Sequence, residues 1–415
     1  MNPISAKTSF IGAVIDSARE HSLQIVEQGV WIRRLGECTV FNTVNNDGYT
    51  PALFVNIKTY IEIFVTKIDF SDKDLYIGLD VHKKSWSVTI VVDGIEHRTF
   101  TQPPDPNALF NYLQRMFPGG IYNSAYEAGF CGYGIHRELN SLGIKNIVIN
   151  AADIPTTQKD KLQKRDPVDS RKIARSLEKG SLHAIHVFDR ELEELRTLNR
   201  TRFYLMRDLR RSKNRIKSFL QYYGEMIPLE FDNNQWTLKF VSWLKQVKMK
   251  TTSGQDAFSH LILSYEHHRR QLVDLSRLVR QRIREYDNEL YSLLKSISGI
   301  GPLTSSALIT ELGNINRFNN IDQLSSYVGF IPRIRESGET THTGGITFRC
   351  NTFLRTLLIE ASWQAIRKDP AMMQYYHKHL VNNTGHKVII KVARKLLNRI
   401  RYVMKNRQPY ITGVA

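Results

Sequence analysis

The sequence predicts a mixed α/β domain followed by a mainly helical region, and two patterns along the chain predict it. Runs rich in β-branched and aromatic residues at 75–80, 85–92 and 94–101 follow one another across short polar connections, which favours three antiparallel strands. After residue 190, apolar residues recur at helical spacing instead. We therefore expect the sheet to precede the helices along the chain.

The rest of the sheet is predicted by an alternation of strand and helix. We expect a helix over 107–116, a strand over 121–127, a helix over 135–142 and a strand over 146–150. Strands that run consecutively and then alternate with helices are typical of a mixed α/β sheet. Residues 73–188 are accordingly predicted to form one domain.

Two long helical segments, 190–223 and 261–290, are expected to pair as an antiparallel hairpin joined by an irregular connector over 224–254. Their apolar residues fit a heptad-like seam, which Arg202 and Ser212 interrupt. Hairpins of this kind often join protomers, so we expect a homo-oligomer, either a dimer or a tetramer. The seam residues are Leu195, Leu198, Leu205, Leu209, Ile216, Phe219, Leu272, Leu275, Val279 and Tyr286.

The sequence also predicts a domain after the hairpin and an N-terminal segment before the α/β domain. The hairpin occupies 189–292, and a mainly helical domain follows over 293–415, closing with a basic helix over 387–404. Residues 1–72 show no clear periodicity or motif. We expect them to be an N-terminal extension, and no role is predicted for them.

The charge balance of the 415-residue chain indicates a polyanionic partner. Lys and Arg number 58 against 40 Asp and Glu, a net charge of +18, which favours nucleic acid. An acidic membrane surface is the competing interpretation, but no uncharged apolar run reaches the roughly 18 residues that a membrane-spanning segment needs. Three distant cysteines predict neither a disulfide framework nor a thiolate zinc site, so a reducing cytoplasm is expected.

Four carboxylates stand where a mixed sheet could bring them together. Asp80 closes the first predicted strand and Glu127 closes a later one. Asp166 and Asp169, at i,i+3 spacing, would share one face of a helix. Clustered carboxylates hold Mg²⁺ or Mn²⁺, and two such ions about 3.5–4 Å apart activate the attacking oxygen and stabilise the leaving oxygen in phosphoryl transfer. Taken singly, Asp166 could equally be a helix N-cap, and Glu127 a surface residue at a strand end.

Three segments of the first domain carry a family resemblance. Segments 79–83, 126–129 and 164–169 resemble, in this order, the DEDD signature of insertion-sequence transposases of the IS one-ten and IS eleven-eleven type. The resemblance implies an RNase H/RuvC-like catalytic domain, followed by a helical coiled-coil insert. It also implies that four carboxylates bind Mg²⁺ or Mn²⁺, here Asp80, Glu127, Asp166 and Asp169.

The C-terminal half resembles the same family. The resemblance implies a transposase domain with a nucleophilic serine before a glycine, here Ser337 before Gly338. It also implies a structured noncoding guide RNA from the element, which pairs with target and donor DNA in a multimeric complex. Where the family has Lys and Gly, this chain carries Phe348 and Cys350. The matching segments are 297–302, 311–313, 327–332, 337–338, 344–347 and 354–358.

Without the resemblance, the surroundings of Ser337 admit two interpretations. A serine attacks a phosphate when its hydroxyl is activated and the charge on the phosphate oxygens is neutralised, a task that suits the planar fork of arginine. The segment is otherwise typical of an exposed turn. The cations near Ser337 in sequence are Arg333, Arg335, His342, Arg349 and Arg355. The alternative nucleophiles are Ser298, Ser305, Ser306, Ser325 and Ser326.

Gly299 and Gly301 lie between two apolar stretches and resemble a helix-hairpin-helix element. Glycines in such an element allow backbone N–H groups at a helix N-terminus to approach a phosphate, whatever the base sequence. The alternative is a purely structural tight turn.

The segment 200–217 is a basic run that only Asp208 opposes. Such a run is usually the solvated face of a helix, but its aromatic neighbours could stack on bases, which favours a DNA or RNA contact. Its basic residues are Arg200, Arg202, Arg207, Arg210, Arg211, Lys213, Arg215 and Lys217. The arginines that we expect to bind nucleic acid are Arg207, Arg210, Arg211, Arg333, Arg335, Arg349 and Arg355.

Three functions remain open from the sequence. The leading hypothesis is a DNA recombinase that combines a metal-binding carboxylate cluster with Ser337 as nucleophile. A hydrolytic junction nuclease would use metal-activated water and form no covalent adduct with DNA. A non-catalytic nucleic-acid-binding protein would keep the fold without the chemistry, an alternative that the presence of all four carboxylates disfavours.

Overall fold

A computed structural model describes two compact units, Met1–Val187 and Phe188–Ala415. Before residue 70, it describes only one antiparallel pair of strands, β1 (Val30–Ile32) and β2 (Ile63–Val65). The described residues are 30–32, 63–65, 70–154, 166–233, 235–337 and 340–412.

The first unit contains the predicted mixed sheet of five strands, in the spatial order β5-β4-β3-β6-β7. The pairs β3–β4 and β4–β5 are antiparallel, whereas β3–β6 and β6–β7 are parallel. The prediction of three antiparallel strands followed by alternating strands and helices is therefore confirmed. The strands are β3 (Asp74–Val81), β4 (Trp86–Val92), β5 (Ile95–Gln102), β6 (Ile121–Glu127) and β7 (Lys145–Ile149).

Helices cover both faces of this sheet, which explains why every residue of β4 is buried. Alternate residues of β3, such as Ile77, pack with Leu109 of α1 and Leu139 of α2 in one apolar core. On the opposite face, Ala125 of β6 packs with Ile173 of α3. The helices are α1 (Pro106–Met116), α2 (Gly134–Ser141) and α3 (Asp166–Glu178), with a short 3₁₀ helix at Ala151–Asp153.

Helix α3 approaches the sheet closely at Gly78 of β3. A Cβ atom added at Gly78 would lie 2.0 Å from the backbone oxygen of Ser170 and 2.5 Å from the backbone nitrogen of Ala174. Because both are backbone atoms, the helix itself would have to shift. The absence of a side chain at Gly78 thus sets the distance between α3 and the sheet.

We expect Gly78→Ala to lower the free energy of unfolding by roughly 3 kcal/mol, the upper end of the usual cost of overpacking. Chemical denaturation would measure it. Gly134→Ala is a suitable control, because an added Cβ there meets no atom within 4 Å. Equal stability of Gly78→Ala and the wild type would contradict the proposed close packing.

The second unit begins with an antiparallel helical hairpin made of α4 (Arg190–Tyr222) and α6 (Thr252–Lys295). Arg202 donates a hydrogen bond to Ser276 (2.9 Å), and the Ser212 hydroxyl lies 2.8 Å from Nδ1 of His268. From Arg202 to Ser212 the residue number increases along α4, whereas that of the partner on α6 decreases from 276 to 268. The two helices are therefore antiparallel. Each of the two polar residues that interrupt the predicted seam therefore has a polar partner on the other helix of the hairpin.

Two details of the predicted hairpin are wrong. The connector 224–254 is not wholly irregular: it contains α5 (Leu238–Gln246), whose Phe240 packs on the hairpin in a local apolar core. Tyr286 is exposed, whereas Val279 and Ile283 are buried. The buried face of α6 passes through Val279, Ile283 and Leu290, so Tyr286 at the next heptad position lies off that face, just before the helical φ/ψ angles break at Asp287.

The C-terminal part is mainly helical, as predicted, and shares one apolar core with the near end of the hairpin. Its last helix buries one face, including Val392, Leu396 and Ile400. A two-stranded antiparallel hairpin interrupts the helices. The elements are α7 (Pro302–Leu312), a 3₁₀ helix (Ile315–Arg317), α8 (Ile321–Val328), β8 (Pro332–Ser337), β9 (Thr340–Ile346), α9 (Thr352–Lys368), α10 (Pro370–Leu380) and α11 (Gly385–Asn406).

Within the described part of the chain, no helix combines the length and the apolar character needed to cross a membrane.

Candidate active site

Asp80 and Glu127 occupy equivalent places at the carboxyl ends of two neighbouring parallel strands. The register pairs Leu79 of β3 with Tyr126 of β6, so the next residue on each strand carries a carboxylate. Adjacent strands lie about 4.8 Å apart, and register partners of parallel strands point to the same face. Asp80 and Glu127 are therefore neighbours on one edge and one face of the sheet.

That face is the one covered by α3, which carries the predicted Asp pair. The Ser170 hydroxyl lies 3.2 Å from that of Ser87, the register partner of Asp80, and 2.9 Å from that of Thr89. Asp169 immediately precedes Ser170 in the first turns of α3. The fold thus brings the backbone of the Asp pair to the same side of the sheet as Asp80.

Two of the described carboxylates, Asp80 and Asp169, have an imidazole or cationic neighbour. Oδ2 of Asp80, whose side chain is 20% exposed, lies 3.2 Å from Nε2 of His82. Lys172 Nζ lies 3.8 Å from Asp169, and Glu127 is exposed. His82 is a contact that we did not predict, although the i,i+2 spacing at a strand end gives a signal for it.

A metal ion is held by a group of clustered side chains that supply its ligands. Among the side chains that the structure describes, no three His, Cys, Asp or Glu residues form such a group. Asp166 opens α3, but its side chain lies outside the described residues. The convergence of all four carboxylates therefore stays a prediction.

Ser337 ends β8 and pairs with Thr340 of β9, which places it at the tip of a hairpin. The side chains of residues 334–343, including those of Ser337, Arg335 and His342, lie outside the described residues. Three of the alternative serines are buried, namely Ser305, Ser306 and Ser325. Burial disfavours these three as nucleophiles.

The described cations near the hairpin differ in their surroundings. The guanidinium of Arg333 stacks on the ring of Phe348, 3.9 Å from its centroid, and that ring is 76% exposed. Arg349 is also exposed. Arg355 instead donates a 2.6 Å hydrogen bond to the backbone oxygen of Thr347, which ties its side chain to the turn after β9.

The two glycines of the predicted helix-hairpin-helix element have different environments. A Cβ at Gly299, where φ is +89°, would lie 2.4 Å from the backbone oxygen of Ala361, so this glycine allows close packing against α9. Gly301 is the N-cap of α7 and has open space around it. The structural alternative thus explains Gly299.

The basic run on α4 divides into exposed and buried members. Arg207, Arg210 and Arg211 are exposed, as expected for nucleic-acid contacts. Arg202 is half-buried on Ser276, and burial lowers the pKa of its guanidinium. Arg200 is held by Glu311, so neither Arg202 nor Arg200 belongs to the exposed basic face.

Glu311 is a charged residue whose importance we did not predict. Its side chain is fully buried, and both Arg196 and Arg200 pair with its carboxylate. Burial alone would raise the pKa of Glu311, but hydrogen bonds and charge from the two arginines lower it below the ordinary value. A lone Glu within the apolar and small residues of α7 was the available signal.

Comparisons with known proteins identify the class to which this chain belongs. Residues 291–377 match the family model described as "Transposase IS116/IS110/IS902 family", and residues 77–224 match the transposase model for DEDD enzymes of the IS110 type. These matches define a transposase, an enzyme that cuts and rejoins DNA. Because together they span more than half of the chain, the protein belongs to the IS110 family of insertion-sequence transposases.

Relatives over most of the chain have consistent names. Two proteins of Sinorhizobium fredii named as transposases are similar: y4qE is 29% identical, covering 79% of this chain and 82% of the relative, and y4rJ is 27% identical, covering 78% and 90%. The transposase of insertion sequence IS1533 from Leptospira borgpetersenii is 24% identical, covering 81% of this chain and 97% of the relative.

Proposed function

We propose that the chain is a recombinase in which Asp80, Glu127, Asp166 and Asp169 form a metal-binding centre of RNase H/RuvC-like type. The observation that supports this proposal is the register of β3 and β6, which makes Asp80 and Glu127 neighbours on the face covered by α3. The donors fit Mg²⁺ or Mn²⁺, because both cations prefer carboxylate oxygens. A bound divalent ion would supply Lewis-acid stabilisation of charge on the phosphate.

In the proposed reaction, Ser337 is the nucleophile. A bond forms between its Oγ and phosphorus while one phosphorus–oxygen bond of the DNA backbone breaks. The hydroxyl proton of the serine is lost to a base, and the departing DNA oxygen gains a proton. A hydroxyl of another strand then attacks the phosphoserine, which releases the serine and joins the strands.

Cations near Ser337 would neutralise the charge that develops on the phosphate. Arg333 and Arg349 are exposed, and Arg335 lies on the same hairpin, so we assign these three to phosphate oxygens. Arg355 already donates a hydrogen bond from Nη1 to the backbone oxygen of Thr347, so only its remaining N–H groups are available to a phosphate. The backbone N–H groups after Gly301, at the N-terminus of α7, would add a contact that does not depend on base sequence.

The proposed partners are DNA, a noncoding guide RNA of the element and further copies of this chain in a dimer or tetramer. The exposed Arg207, Arg210 and Arg211 on α4 support a nucleic-acid contact. The net charge of +18 supports it as well, because release of counterions from a polyanion favours binding by basic surfaces.

The test is a cleavage assay with and without Mg²⁺, in which covalent protein–DNA adducts are separated from free DNA under denaturing conditions. The substrate is a DNA duplex that carries an end of the element, supplied together with the element's noncoding RNA. We expect Mg²⁺-dependent cleavage with an adduct. Cleavage without an adduct would instead identify a hydrolytic junction nuclease, and binding without cleavage a non-catalytic protein.

Neutralising any one of Arg207, Arg210 or Arg211 is expected to reduce the salt dependence of DNA binding. Each lost phosphate contact should lower the slope of log affinity against log salt concentration by up to about 0.9 for a duplex. Fluorescence anisotropy over a salt series measures this. Arg190→Gln is the control, since Arg190 is exposed at the far end of the same helix and pairs with Glu194. Unchanged slopes in all three variants would exclude this face.

A further inference from the structure

The buried carboxylate of Glu311 joins three elements of the second unit. Arg196 and Arg200 of α4 donate to it, with distances of 2.9 Å from Arg196 and 2.6 Å from Arg200. Nδ2 of Asn351 donates to Oε2 at 2.8 Å. Asn351 is the N-cap of α9, because its Oδ1 accepts from the backbone N–H of Leu354. One carboxylate thus fastens the start of α9 to α4 and α7.

The same network holds both ends of the β8–β9 hairpin that carries Ser337. Before the hairpin, the Tyr327 hydroxyl donates to the backbone oxygen of Glu311 at 3.0 Å. After it, the N–H of Asn351 donates to the backbone oxygen of Tyr327 at 2.8 Å. The N–H of Thr347 donates to the oxygen of Ile331 at 3.1 Å and closes the base of the hairpin.

These contacts are suited to fixing a position. Ion pairs with two guanidinium groups and a hydrogen bond from an amide restrain the carboxylate from several directions, and charge-assisted hydrogen bonds are stronger than neutral ones. The Asn351 amide is the only side-chain link, among the described contacts, from that carboxylate to the chain after the hairpin. Loss of this link would leave Glu311 paired with its two arginines.

We propose that the Glu311–Asn351 contact is a positioning device that sets the orientation of the hairpin bearing Ser337. This inference rests on the proposed role of Ser337 as nucleophile. A displacement of about 1 Å can lower the rate of a reaction by about 100-fold, because attack needs close and aligned atoms. Asn351 and Glu311 act through the hairpin, and neither is assigned a contact with DNA.

The informative variant is Asn351→Ser in the full chain. Serine preserves an N-cap acceptor for α9 but is too short to keep the amide hydrogen bond to Glu311, or the longer one of 3.3 Å from the same Nδ2 to the Tyr327 hydroxyl. Asn320→Ser is a matched control, because Asn320 caps α8 in the same unit, is exposed and accepts from Gln323. The melting temperature of Asn320→Ser should remain close to that of the wild type, because the variant keeps its cap. That of Asn351→Ser should fall only by about 3–10 °C, because this variant also keeps its cap but loses a hydrogen bond to a buried carboxylate.

Two readouts separate positioning from simple destabilisation. Hydrogen exchange of the amides of residues 333–347, measured without DNA, should accelerate by about tenfold or more in Asn351→Ser and remain unchanged in Asn320→Ser. The rate of adduct formation at saturating DNA should fall about 10- to 100-fold in Asn351→Ser, while the Kd for DNA stays within about twofold. The DNA probe is the duplex that carries an end of the element, supplied with the element's noncoding RNA.

Each outcome decides the inference. Wild-type exchange of the hairpin in Asn351→Ser overturns it, as does faster exchange with an unchanged adduct rate. An equal loss of adduct in Asn320→Ser also overturns it, because the effect would then come from capping in general. Absence of an adduct with the wild type rejects Ser337 as nucleophile, and the exchange comparison still decides whether Asn351 restrains the hairpin.

Discussion

Replacing Ser337 by alanine is expected to abolish the covalent linkage between the protein and DNA. In the proposed reaction the Ser337 Oγ forms that bond, so adduct formation should fall by roughly a thousandfold or more. Denaturing gel electrophoresis with labelled DNA measures the adduct. DNA affinity should be unchanged, because alanine removes one oxygen at the tip of the hairpin and leaves the basic surfaces intact.

The matched control for this experiment is Ser326→Ala. Ser326 is exposed in the same unit and is one of the alternative nucleophiles. We expect it to form the adduct at the wild-type rate. An undiminished adduct in Ser337→Ala, or loss of the adduct in Ser326→Ala, would show that another residue attacks the phosphate.

Replacing Asp80 by asparagine should eliminate metal-dependent cleavage. The substitution keeps the size of the side chain and its position on β3, but it removes a negative oxygen from the proposed donor set. We expect the cleavage rate at saturating DNA to fall by about a thousandfold, because charge stabilisation by a divalent ion is worth several kcal/mol. Quenched-flow or gel assays over a range of Mg²⁺ concentrations measure it, and isothermal titration with Mn²⁺ measures metal affinity without catalysis.

Asp74→Asn provides the control on the same strand. Asp74 lies at the opposite end of β3, where Oδ1 accepts a hydrogen bond from Asn123. Its loss should leave both cleavage and metal affinity unchanged. If Asp80→Asn binds Mn²⁺ as tightly as the wild type and cleaves at the same rate, the carboxylate centre is wrong, whatever the role of Ser337.

Much of the first unit could be predicted from local patterns. The strand over 121–127 and the helix over 107–116 were located to within one residue, because alternation of apolar residues and turn-forming residues mark their limits. Local patterns failed where a residue acts through a distant partner. Arg200 and Arg207 look alike in the basic run, yet Arg200 is held by Glu311, 111 residues away.

By itself, the sequence determined the order of strands and helices in the first unit, the preference for a polyanionic partner and the family, since periodicity, net charge and short motifs are properties of neighbouring residues. Only the tertiary structure decided that Asp80 and Glu127 are neighbours and that Gly299 packs on a helix. It also decided that the hairpin of Ser337 is fastened to Glu311. Such contacts depend on strand register and on burial, which arise when distant segments of the chain are packed together.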